Sequence, residues 1–80
     1  MTQANVLNVE AVWDDEAKVW VAESSDVPGL ITEADTVSAL VQKLKYLIPE
    51  LLVENGGNAD REVAFRVNSH IDAVTYRQAA

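Results

Sequence analysis

The stretch Ser24-Ser25-Asp26-Val27-Pro28-Gly29-Leu30-Ile31-Thr32-Glu33-Ala34-Asp35-Thr36 divides the chain into halves of different character. Pro28 holds its φ near about −65° and Gly29 tolerates positive φ, so Val27-Pro28-Gly29-Leu30 predicts a type II turn. Two β-like runs precede that turn. A few extended residues follow it, and then a helix whose N-cap is Asp35 or Thr36.

Working outward toward the N-terminus, residues 19–24 read as a strand with Trp20 and Ala22 on one face and Val19, Val21 and Glu23 on the other. Residues 14–18, Asp-Asp-Glu-Ala-Lys, form a polar connection suited to a hairpin. Residues 5–13 alternate, with Leu7, Val9, Ala11 and Trp13 on the more apolar face. Trp13 and Trp20 can meet across the strand pair, either in the core or in a contact between copies, where tryptophan is enriched.

Downstream, residues 30–34 predict a short third strand antiparallel to the second. Val37, Leu40, Val41, Leu44, Leu47, Ile48, Leu51 and Leu52 then fall at i, i+3, i+4, i+7 spacing, the clearest helical stripe in the chain. Asn55-Gly56-Gly57 supplies its stop. Pro49 lies inside the stripe and predicts a kink, or a break with Pro49 opening a second short helix to about Glu54. Residues 58–60 predict a loop, and residues 61–72 a half-buried strand with Val63, Phe65, Val67, Ser69 and Ile71 on one face. Residues 73–80 read as a strand extension or a tail that frays over Gln78-Ala79-Ala80. The expected architecture is a single α+β domain over residues 1–80, core about 5–72, of order β-β-β-α-β. It has an antiparallel sheet with one long helix on one face.

Eighty residues with a 49% hydrophobic share are enough for one small core and no second domain. Such a domain is marginally stable alone, and without cysteine it has neither disulfides nor thiolate metal sites. Association is the remaining common source of stability, which predicts a homodimer or higher homo-oligomer. No basic segment followed by an apolar run opens the chain, and no apolar run approaches the ~20 residues needed to span a bilayer. The expected location is therefore the cytoplasm, with no membrane partner.

The net charge of −7 is unevenly placed. Residues 1–35 hold eight acids against Lys18, whereas residues 36–80 hold five acids and five bases. Such a surface repels phosphate backbones, which disfavours direct nucleic-acid binding, and it attracts a basic protein or simply maintains solubility. The candidate partner-binding residues are Asp14, Asp15, Glu16, Glu23 and Asp26, with Pro28 and Gly29 as the structural turn and Asp35 and Thr36 as the cap.

Catalytic readings find little support. Consecutive acids in a hairpin loop point in different directions, so Asp14-Asp15-Glu16 predicts a solvated turn rather than a metal site. A nuclease site needs several acids converging on a metal, and no acid sits at an inward position on the first strand beside Asp26 and Asp35. His70 is the only histidine and lies on the polar face of the last strand. Ser24 and Ser25 lack the glycines of a nucleophile elbow, and Gly56-Gly57 lacks phosphate-loop spacing. The expectation is no enzyme activity and no cofactor.

The residues Trp13 to Ala22, Asp26-Val27-Pro28-Gly29-Leu30, Glu33-Ala34-Asp35-Thr36 and Pro49-Glu50-Leu51-Leu52 together resemble the HicB-like antitoxin group. Within that group they resemble most a small family of stand-alone domains of unknown function. The resemblance covers about residues 6–57 closely and the last strand in pattern only. It implies a partial ribonuclease-H-like fold, usually dimeric or higher. It also implies a domain that binds and masks HicA, a small basic messenger-RNA interferase. HicB proteins usually carry a further operator-binding domain; this chain runs to Ala80 without a basic helical segment after the last strand, so no DNA-binding domain is expected here. The alternative is a self-associating structural or regulatory domain without a toxin partner.

Overall fold

The computed structural model describes residues 6–57 and 62–77. The elements are β1 (Val6–Asp14), β2 (Val19–Glu23), β3 (Ile31–Ala34), α1 (Val37–Glu54) and β4 (Ala64–His70). This is the mixed α+β architecture that the alternation and the helical stripe predict. The sheet order is β3-β2-β1-β4, with β1 and β2 antiparallel and β2 and β3 antiparallel.

One feature departs from the expected antiparallel sheet: β4 pairs parallel to β1, from Val6 opposite Ala64 to Val12 opposite His70. The reason is directional. Strand β3 runs the same way as β1, α1 carries the chain back, and the next strand starts from the same end as β1. A crossover helix of this kind delivers a parallel strand. The expected start at Asn5, the loop at 58–60, the strand start at Arg61 and the fraying of Gln78-Ala79-Ala80 lie outside the described residues. Residues 71–77 follow β4 with no ladder partner among the described residues.

One sheet face carries the helix. Leu40, Leu44 and Ile48 are fully buried and rest on Val9, Ala11, Ala22 and Ala34, with Leu47, Leu51, Leu52 and Trp20 packed around them. Three alanines in that floor let the helix backbone approach closely. Trp13 and Trp20 face one another in register on this side, ring centroids 5.4 Å apart, both half-buried, with Trp20 packed against the core. The tryptophan pair therefore belongs to the edge of the core.

The turn over Pro28-Gly29 is a core anchor. Leu30 N–H donates to the Val27 carbonyl at 3.1 Å, Gly29 has φ of 86°, and both Val27 and Leu30 are buried. Asn55 Nδ2 donates to the Pro28 carbonyl at 3.1 Å, tying the helix C-terminus to the turn. Thr36 is the N-cap, its Oγ1 accepting from Ala39 N–H at 3.0 Å, and Asp35 is the exposed residue before it. At the other end Gly56 N–H bonds the Val53 carbonyl and Gly57 N–H the Leu52 carbonyl, a Schellman arrangement with Gly56 at φ 89°.

Between these caps the helix runs unbroken through Pro49. The missing N–H leaves only the Lys45 carbonyl without its usual donor, and Lys45 lies on the exposed side. The apolar stripe on both sides of Pro49 keeps the two halves on one core, which offsets the lost bond.

Leu44 is at the centre of the buried helix row. Leu44→Ala is expected to cost about 2–5 kcal/mol, read as a lower urea midpoint with the m-value unchanged. A cost below ~1 kcal/mol would mean that the helix is not seated on the alanine floor as described.

Candidate functional site on the open sheet face

The face of the sheet opposite α1 is covered by nothing among the described residues. Alternation from β1 places Val6, Asn8, Glu10, Val12 and Asp14 there, and the ladder registers add Val19, Val21 and Glu23 of β2, Ile31 and Glu33 of β3, and Arg66, Asn68 and His70 of β4. Val12 is 52% exposed and Ile31 72% exposed. Glu10 stands directly opposite Glu23 in the antiparallel pair, and Glu33 lies one strand further on, beside Val21. Like charges directly opposite each other destabilise a ladder. An acidic row set among exposed apolar side chains is thus maintained against a local electrostatic cost.

Glu10 is the best-held of these acids. Its Oε2 accepts from Asn68 Nδ2 at 2.8 Å, and its Oε1 lies 2.8 Å from His70 Nε2. Asn68 Nδ2 also reaches Asn8 Oδ1 at 3.3 Å. The Asn68 amide, followed by His70, holds the Glu10 carboxyl below its ordinary range. Neither Glu10 nor Asn68 stands out in the sequence as a site residue. Their meeting depends on the β1–β4 register, which sets Glu10 opposite Asn68 across 58 residues of chain. Glu10, Glu23, Ser24, Ser25 and Leu30 line a shallow depression where the open face meets the turn segment.

The five acids expected to bind a partner do not form one patch. Asp14 closes the hairpin, its Oδ1 accepting from Glu16 N–H at 3.1 Å and Ala17 N–H at 3.2 Å. Asp15 accepts from Lys18 Nζ at 2.9 Å and Trp13 Nε1 at 3.2 Å; the lysine, then the indole, lower its pKa. Glu16 is exposed at the hairpin tip. Glu23 lies at the far end of β2, on the open face. Asp26 Oδ2 accepts from Asn8 N–H at 2.8 Å, while Ser24 Oγ donates to the Asn8 carbonyl at 2.6 Å. Both backbone groups of Asn8 are thereby satisfied by side chains just past the end of β2, so Asp26 continues the ladder where the strand stops. Asp14 holds the hairpin and Asp26 continues the ladder, and the hairpin begins four residues past Glu10, roughly 13 Å at strand rise from the Glu10–Glu23 pair.

These elements correspond throughout to one sequence family. The profile of a domain of unknown function, DUF1902, matches residues 6–77. The chain belongs to that family. The match covers every described strand and the helix, and it extends past β4. A hypothetical protein from the extremely thermophilic bacterium Thermus thermophilus, solved as a crystal structure, is 45% identical, with a TM-score of 0.67 over 91% of this chain and 100% of its own. No curated protein matches the chain. The family finding accords with the stand-alone group of unknown function that the sequence resembles; it does not reach the wider HicB-like group. No helix among the described residues is long and apolar enough to cross a membrane.

Because the folded state holds Glu10 below its ordinary pKa, near 4.5, its contribution to stability is present above that value. It is lost as pH falls through the lowered folded value. Glu10→Gln is therefore expected to flatten the decline of the urea midpoint as pH falls below 4.5, relative to the parent chain. An unchanged acid profile would show that the Asn68 and His70 contacts do not persist in solution.

Proposed function

We propose that this domain is a protein-binding module of the HicB-like type that acts in the cytoplasm. Its acidic open sheet face receives a small basic protein, a HicA-like RNA-cleaving toxin, and masks it. The observation that carries this reading is the Glu10–Glu23 pair, with Glu33 beside it, on a face no other part of the described chain covers. Val12, Val21 and Ile31 around that row supply apolar area, and the carboxylates supply attraction and orientation to a cationic surface. The resemblance of residues 6–57 to HicB-like antitoxins names the partner class. Glu23 remains from the acids singled out in the sequence, Glu10 and Glu33 join it, and Asp15 and Glu16 act from the rim.

The test is recovery of partners of the tagged chain from its host at low salt, followed by mixing with each small basic protein recovered. The expected result is a partner released by raising the salt, whose RNA cleavage stops on mixing. Glu10→Lys with Glu23→Lys is expected to weaken that binding at least tenfold, while reversal of Asp15 and Glu16 has a smaller effect. Failure to recover any basic RNA-cleaving protein, or full inhibition by the Glu10/Glu23 double variant, would overturn the reading.

A further inference from the structure

Residues 71–77, Ile-Asp-Ala-Val-Thr-Tyr-Arg, leave the domain as an extended arm with every residue exposed. Ile71 is 60%, Val74 81% and Tyr76 79% exposed. Four of the seven are strong strand formers. A run of this composition, with no ladder and no apolar cover among the described residues, has the makings of a strand but lacks its neighbour. The arm also belongs to the domain proper, since the family match continues to residue 77.

The neighbouring edge is open too. Strand β4 is the outer strand of the sheet, so one row of N–H and C=O groups along Ala64–His70 has no strand partner among the described residues. Edge strands are usually kept short or broken by lysine or proline. The opposite edge follows that pattern: β3 has four residues, and Lys43 Nζ takes up its Glu33 carbonyl at 2.5 Å. Strand β4 has seven residues with no proline and no lysine. Its helix-side residues Phe65 and Val67 are only half-buried, because α1 packs toward β2 and β3.

We propose that β4 and the arm form the interface between two copies of this chain. Each arm extends antiparallel along the free edge of the other copy's β4, about a two-fold axis at Ile71. The registry follows from charge and face. A two-fold axis normal to the sheet keeps the helices on one side, and residues of like parity then face each other. With Ile71 opposite itself, His70 meets the second copy's Asp72 and Arg66 meets its Tyr76, an opposite-charge pair when His70 is protonated and a cation–π pair. A shift of the axis by one residue sets His70 against His70 or Asp72 against Asp72. The self-complementary pattern selects a second copy over any other occupant, as an isologous interface requires. This interface uses the sheet edge and stands independently of the acidic face.

The absence of cysteine makes the registry directly testable. The full chain is expected to run as a dimer by light scattering at low and high salt, and Val74→Asp with Tyr76→Asp to halve that mass with the circular dichroism unchanged. Ile71→Cys is expected to form an intermolecular disulfide under mild oxidation. Ala73→Cys, placed opposite Ser69 rather than itself, is expected not to. A monomeric parent chain, a dimer that persists in the Val74/Tyr76 variant, or equal cross-linking at positions 71 and 73 would each overturn the proposal.

Discussion

The structure depends on the seating of Leu40, Leu44 and Ile48 on a floor of Ala11, Ala22, Ala34 and Val9. Small floor residues bring the helix close, so three aliphatic side chains suffice to exclude water from the middle of a four-stranded sheet. One helix of 18 residues spans roughly 27 Å and covers a strip of that sheet, not the whole of it. Because the helix sits over β2 and β3, the far side of the sheet and the β4 edge are left uncovered by the described residues. The two surfaces proposed to receive partners, the open face and the β4 edge, are both consequences of how little one helix can cover.

Polar side chains in this domain divide into those consumed by the fold and those left over. Ser24 and Asp26 satisfy the Asn8 backbone, Asp14 closes the hairpin, Thr36 caps the helix and Asn55 ties its end to Pro28. Each of these has a backbone group to serve. Glu10 and Glu23 face each other instead, with Asn68 and His70 bonded to Glu10 to temper the repulsion. Acidity concentrated in the first half of the chain thus has two origins, the hairpin and turn residues and an exposed row on the sheet.

Local patterns made much of the fold legible. The Pro28-Gly29 pair specified its turn through φ alone, Thr36 and Gly56-Gly57 bounded the helix through capping, and the leucine stripe assigned its buried face. Alternation likewise put Val9 and Ala11 inside and Glu10 outside. Pro49 was ambiguous because its local cost competes with burial on both sides of it, a balance set by the core rather than by the residue. Parallel pairing of β4 was hidden for a related reason: strand alternation reports which face is buried and carries no sign of direction.

Charge content was equally visible, but its arrangement was not. Counting acids over residues 1–35 located them on the β-rich half, while the partition between turn and open face required the hydrogen bonds of Asp14, Asp15 and Asp26. The sequence by itself determined the elements, their caps and the buried faces, because those follow from φ preferences and from periods of two and 3.6 residues. Only the tertiary structure decided the strand order, the parallel β1–β4 register and the meeting of Glu10 with Glu23, Asn68 and His70. Those depend on where one helix returns the chain, a choice made by packing between residues far apart in sequence.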